Sequence, residues 1–240
     1  MTGGAGAAAC DDAAVDLRAV VAARNNAEWC DLVCRSHGIE TRLDADVWVA
    51  LHRSPPMYPD AVTLDGHVTS GDVLRSVDSS GGCSIKDSFA SLDLSQDGFR
   101  LLFDAEWIYR EPTQRRIDDG QRWRIVRTPD ELVAWGAAHG GGQVFGRALL
   151  DDPAVAIVMA HDGRAVVAGA IGNRSGSVIG VSNVFTTTAE MDQVWTGAIA
   201  AISAQFGGLP LVGYEHGASL RAAHRAGFVS VGPLRIWLKD

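Results

Sequence analysis

The chain has 240 residues, a formal net charge of -8 and an apolar fraction of 47%. That length can bury a real core, in one large domain or two small ones. The acidic balance argues against broad contact with phosphate backbones, so no nucleic-acid partner is expected, and the longest apolar runs (154–160 and 165–171) fall well short of the ~20 residues of a membrane span, so no membrane partner is expected either.

In chain order, residues 1–12 are small and polar, without a basic start or a long apolar core, and read as a disordered tail and not a secretory signal. Four cysteines without such a leader fit a reducing cytoplasm better than a disulfide framework. Residues 11–35 carry a broken apolar face (Val15, Leu17, Val20, Val21, Trp29, Leu32, Val33) and read as a helix ended by His37-Gly38. Cys30, Cys34 and His37 share a face of that helix at i, i+4 and i+7. Cysteine is most often a small buried hydrophobe and no fourth ligand is evident, so no metal is expected. Residues 47–51 are apolar but too short to type. Three prolines in 55–59 forbid helix and favour an extended segment.

A short strand at 61–64 and a helix at 70–77 follow, then the Gly81-Gly82 turn. Ser84 lies two residues from Lys86, but no nucleophile elbow surrounds the pair, which leaves little support for a hydrolase. Gly98-Phe99 opens a strand over 100–109, and 111–122, charged and broken by a proline and a glycine, reads as a linker. The stretch from 123 begins with a strand (123–127). Thr128-Pro129-Asp130-Glu131 is a capping box opening a helix that buries Leu132, Trp135 and Ala138 and stops at Gly140-Gly141-Gly142. A second short helix near 145–150 precedes two apolar strands, 155–161 and 165–172, that pair as a hairpin over Asp162-Gly163. The tryptophans at 29, 48, 107, 135 and 237 read as core.

The last sixty residues carry the most information. An apolar strand (178–185), a polar turn (Thr186-Thr187-Thr188), a helix (189–206), a strand (209–215), a short helix (219–226), Gly227-Phe228 and a last strand make a crossover unit with parallel pairing, hence an α/β domain. This order resembles the GNAT superfamily of N-acyltransferases. Of the family run N-x-x-A-x-x-x-Y-x-x-x-G-F, Gly227 and Phe228 are kept, while His216, Ser219 and Ala223 replace Asn, Ala and Tyr. The resemblance implies an α/β (α+β) fold, a mixed sheet with splayed central strands over 123–240. Gly98-Phe99 followed by a strand ending Trp107-Ile108 echoes Gly227-Phe228 followed by a strand ending Trp237-Leu238. The echo implies that 13–110 is a smaller, degenerate copy of the same half-fold.

The family would place an acyl-CoA, acetyl-CoA above all, along Val184, Phe185, Thr186, Thr187 and Thr188, with the diphosphate on the turn that follows. The family turn is Q/R-x-x-G-x-G/A; here residues 185–192 hold no glycine and no basic residue. Thr187 and Glu190 form a T-x-x-E pattern that would cap the helix internally, and Glu190 and Asp192 set carboxylates where the diphosphate would lie, so diphosphate binding is disfavoured. Ala223 cannot donate the proton that the family tyrosine gives to the leaving thiolate. Strand-end residues Ser182, Asn183 and Tyr214 would bind the substrate, a small amine, with Glu215 or His216 as the base. Two other readings fit the same fold: a non-catalytic module that binds a ligand or partner, and acyl transfer from aminoacyl-tRNA. Sheet extension would permit a homodimer.

Overall fold

A computed structural model describes residues 15–112, 123–163, 165–188 and 190–240. The expected tail at 1–12 and most of the expected linker lie outside the described residues. Helix α1 (Leu17–Ser36) starts where the Asp16 carboxylate accepts the Arg18 backbone N–H. Strands β1 (Thr41–Leu43), β2 (Val47–Ala50) and β3 (Ala61–Thr63) pair antiparallel in sequence. Helix α2 (Ser70–Ser76), with a Thr69–Asp72 capping box, then crosses to β4 (Ser84–Asp87), which runs parallel to β3. A 3-10 turn and Gly98 lead into β5 (Phe99–Arg110).

Strand β6 (Trp123–Ile125) is followed by α3 (Pro129–His139), with its Thr128–Glu131 capping box in place and Gly140 in the left-handed conformation. The side it buries is Leu132, Trp135 and Gly136, with Ala138 only half-buried; a Cβ on Gly136 would strike the Gly142 carbonyl oxygen. Strands β7 (Val155–Asp162), β8 (Ala165–Ser175) and β9 (Val178–Thr186) form an antiparallel meander. Helix α4 (Met191–Phe206) crosses to β10 (Leu211–Glu215), parallel to β9, and α5 (Gly217–Arg225) leads to β11 (Val229–Lys239).

All eleven strands form one mixed sheet in the order β1-β2-β3-β4-β11-β5-β10-β9-β8-β7-β6. The two long strands change places: β5 lies antiparallel between β10 and β11, and β11 lies antiparallel between β4 and β5. The exchange is clasped the same way at both ends. Arg110, the last residue of β5, donates from Nε to the Ala226 carbonyl (2.9 Å), and Lys239, the last of β11, donates to the Asp97 carbonyl. The glycines that follow those carbonyls, Gly98 and Gly227, have φ of 77° and 93°, a region glycine enters without a Cβ clash.

Alternation along the strands sorts the core into two layers. On one face α1 covers Trp107, Val212 and Leu234. On the other, α4 and α5 cover Ile108, Ile179 and Leu211. Helix α3 joins the α1 face through Trp135, packed in one cluster with Trp29, Met159 and Ile171. Trp29, Trp48, Trp107, Trp135 and Trp237 are all buried. The Trp107 indole N–H is satisfied by the Ser88 carbonyl at 2.7 Å. Two buried asparagines stitch α1 to β8: Asn25 Nδ2 donates to the Asn173 carbonyl (3.2 Å) and Asn173 Nδ2 to the Asn25 carbonyl (3.4 Å).

Candidate functional site

The site begins where two parallel strands part. Strands β9 and β10 are in register only at Leu211↔Ile179 and Val212↔Gly180. Beyond Gly213 the ladder ends, and the backbone of β9 from Ser182 faces a gap. There β9 also bulges: two steps along β8 (Gly169 to Ile171) match three along β9 (Ser182 to Phe185). Asn183 takes up the extra residue with φ of 54°, a conformation asparagine tolerates better than most side chains. Its Nδ2 donates to Ser182 Oγ at 2.9 Å.

A cavity of about 250 Å³ fills this gap. Ser182, Asn183 and Val184 line it from β9, and Tyr214, Glu215 and His216 from the end of β10, so five expected site residues and one expected cofactor contact share one cleft. Phe185, Thr186, Thr187 and Thr188 do not line it. Phe185 turns away into an aromatic cluster, edge-on to Trp135 (5.1 Å) and His139 (5.3 Å). Thr186 and Thr187 both direct their hydroxyls to the Val167 carbonyl.

The earlier residues supply the rest of the cleft: Asn26, Trp29 and Cys30 from α1, Met57 to Pro59 from the proline-rich loop, Lys86 from β4 and Phe103 from β5. Trp29 donates its indole N–H to the Tyr58 hydroxyl (3.0 Å), and burial, reinforced by the nearby Cys30, pushes the Tyr58 phenol well above its usual value. His216 is exposed and stacks on Phe103 (centroids 4.7 Å apart, planes at 23°). Lys86, only 2% exposed, donates to Asn26 Oδ1 (2.6 Å) and lies 4.0 Å from the Tyr214 ring centroid.

Glu215 is half-buried, and loss of solvent around its carboxyl pushes its pKa up from 4.5 to about 8, against a smaller opposing effect of the His216 backbone N–H. A carboxyl with a pKa near the working pH can both take and return a proton. Cys30, though it lines the cavity, is held as a thiol: burial raises its pKa to about 12. Cys34 contacts Ser54 Oγ at 3.5 Å and the His37 ring bonds the Val144 carbonyl at 2.6 Å. Among the described residues, no group of three or more His, Cys, Asp or Glu side chains could hold a metal.

One expectation is overturned at the helix that follows. Thr187 and Glu190 do not form a capping box. Glu190 is itself the N-cap of α4 and makes no side-chain cap bond, while Thr187 is tied to Val167 through its N–H (2.8 Å) and its hydroxyl. The reason is that β9 runs on to Thr186, paired with Ala168, which holds the threonines in the strand. The first amides of α4 are therefore not taken by the Thr187 side chain. Asp192 does not stand as a bare charge either: Arg225 of α5 grips it with two bonds of 2.6 Å, and the guanidinium holds its carboxyl below the usual range. Ala223 is fully buried in the core layer under α4 and α5.

Asn26, Tyr58, Lys86 and Phe103 were not expected in the site.

No protein-family model matches the chain, and no curated protein matches it. Solved structures do. A GCN5-related N-acetyltransferase from Kribbella flavida superposes with a TM-score of 0.61 at 15% identity, covering 92% of this chain and 96% of that one. A protein from Novosphingobium aromaticivorans described as an acetyltransferase of the GNAT family gives 0.54 at 11%, covering 88% and 96%. A GCN5-related N-acetyltransferase-like protein from Streptococcus suis gives 0.51 at 15%, covering 93% and 99%. The chain has the GNAT fold, as its element order implied; identities this low carry no substrate.

Proposed function

We propose that the chain is an N-acyltransferase that moves an acyl group, acetyl in the simplest case, from CoA to an amine. The observation that carries this reading is the parting of β9 from β10 beside the Asn183 bulge, with Glu215 at the mouth of the gap. Backbone amides of β9 not taken up by β10 would bond the pantetheine arm and polarise the thioester carbonyl. The amine nitrogen would attack that carbonyl, forming the C–N bond; the C–S bond then breaks and sulfur leaves with the electron pair. Glu215 would take the proton lost by nitrogen and return it to the thiolate, work that elsewhere in the fold falls to a tyrosine where this chain has Ala223. His216, exposed at the mouth, would guide the amine inward.

Val184, which lines the cleft, would lie against the cofactor arm. The diphosphate would lie at the start of α4, whose first amides the Glu190 side chain does not cap and where an anion is favoured, with Arg225, paired to Asp192, alongside. We also read residues 13–110 as a smaller copy of the half-fold at 123–240, on the shared order of strand, helix, parallel strand, Gly-Phe and long strand. On this reading the first copy walls the site of the second.

The test is calorimetry with acetyl-CoA on the intact chain, followed by thiol release in the presence of a panel of primary amines. Micromolar binding and amine-dependent release of one thiol per acetyl group transferred are expected. Absence of acetyl-CoA binding at millimolar concentration would overturn the reading in favour of a non-catalytic module.

A further inference from the structure

Two hollows meet at Lys86. Beside the cleft lies a larger cavity of about 850 Å³, walled mainly by carbon from Pro55, Pro56, Leu102, Phe103, Ile236 and Leu238. Lys86 lines both cavities. The outer wall is fixed in place: Asp60 accepts the backbone N–H groups of Ser54 (2.8 Å) and Ser84 (2.9 Å) and the Arg53 guanidinium (2.7 Å).

The surroundings of Lys86 are unusual for a side chain so deeply placed. Strand spacing puts β4 roughly 14 Å from β10, a distance that the Lys86 and Tyr214 side chains close by leaning together over β11 and β5. The partners of the ammonium are the Asn26 amide oxygen and the Tyr214 ring face, both neutral. Among the described residues no carboxylate lies within ion-pair distance of it. An ammonium has three N–H donors, and buried charges are normally paired. A cation balanced only by a dipole and a ring face, at the edge of open space, favours an anion there, and a carboxylate takes such a donor in a short, charge-assisted bond. Glu215 lines the same small cleft, where its carboxyl can accept a hydrogen bond from an amine or take its proton.

We infer that the acceptor is an α-amino acid with a large apolar side chain. Its carboxylate lies on Lys86, its amine faces Glu215, and its side chain occupies the apolar cavity. The fate of the amine rests on the acyltransferase reading; recognition of the carboxylate does not.

Calorimetry on the full chain with L-phenylalanine, 3-phenylpropanoate and phenethylamine separates the parts. L-phenylalanine is expected to bind at least tenfold more tightly than phenethylamine, and 3-phenylpropanoate to keep most of that affinity. Lys86→Met, close in volume, is expected to lose at least tenfold in L-phenylalanine affinity; should it fail to fold, the three ligands on the unaltered chain decide alone. Equal binding of phenethylamine and L-phenylalanine overturns the inference. So does a folded Lys86→Met that binds L-phenylalanine as the unaltered chain does. Lys86-dependent binding without acetyl transfer to any amine would sink the acyltransferase reading and leave this inference standing. Acetylation of phenethylamine as fast as of L-phenylalanine would do the reverse.

Discussion

Glu215 is where one residue ties chemistry to stability. Its carboxyl is raised from 4.5 to about 8 by loss of solvent, so between those values the folded chain holds a proton that the unfolded chain releases. Stability from the neutral carboxyl is complete below about 4.5 and is lost as pH rises through about 8. Glu215→Gln stays neutral throughout. Its melting temperature is expected to exceed that of the unaltered chain by a margin that widens from pH 5 to pH 8, as scanning calorimetry at several pH values would show. The same variant bears on catalysis: kcat/KM of the unaltered chain should climb with pH to a plateau above about 8, and Glu215→Gln should retain about 1% of it or less, general base catalysis being worth roughly 10²–10⁴-fold. Gly180 sets a second test at this scale. A Cβ there would strike Asn25 Oδ1 and Asn173 Oδ1, the buried pair that fastens α1 over the splayed strands. Overpacking of this kind costs about 1–3 kcal/mol, so Gly180→Ala should lower the melting temperature by several degrees in a thermal scan. Glu215 and Asn183 were legible in the sequence because strand ends are where such sheets hold ligands. Lys86 was not, because a lysine in a short strand reads as solvent-facing, and only the exchange of β5 and β11 explains why it is buried.

Two T-x-x-E patterns in this chain have opposite fates, and the difference belongs to the elements around them. Thr128 and Glu131 form their capping box because β6 ends at Ile125 and leaves the threonine free to turn. Thr187 and Glu190 do not, because β9 is still paired with β8 one residue earlier. Local letters decide a cap only when the preceding strand has released the chain. At α4 the result is a helix start that neither Thr187 nor Glu190 caps through its side chain, with Arg225 held on Asp192 in its first turn. If that arrangement holds the diphosphate, Arg225→Ala should raise KM for acetyl-CoA about three- to tenfold, since it removes a cation and bares a carboxylate, with little change in kcat. An unchanged KM would move the diphosphate elsewhere. The helices and strands themselves were largely readable from periodicity, caps and turns, down to the pairing of β7 with β8 and the start of α3, although the hairpin turn falls one residue later than Asp162-Gly163, since Asp162 still pairs with Ala165.

At the scale of the whole molecule the sequence suggested two parts in series, and the sheet order joins them through β5 and β11. Periodicity identifies a strand but not its neighbours, and both long strands pair with partners more than a hundred residues away in sequence. Cutting the chain at 113–122 offers a direct test. Fragment 123–240 alone would leave one side of β10 and both sides of β11 unpaired and is expected to be insoluble or swapped between copies. Produced together with fragment 1–112 it should recover a soluble complex with the circular dichroism of the intact chain. A fragment 123–240 that is a folded monomer would refute this account of the sheet. No helix among the described residues is long and apolar enough to cross a membrane.

The exchanged strands also set a timetable for synthesis. The sheet neighbours of β5 are β10 and β11, residues 211–239, so a strand finished by residue 110 has nothing to pair with until the ribosome has made more than a hundred further residues. Throughout that interval Ile108, buried in the finished fold among residues from Val158 to Phe228, belongs to a nascent chain that cannot yet cover it. Pairing over such separations is slow, and unpaired apolar strands are what chaperones bind. A pause in translation between residues 110 and 211 is therefore expected to lower the soluble yield more than a pause at either end.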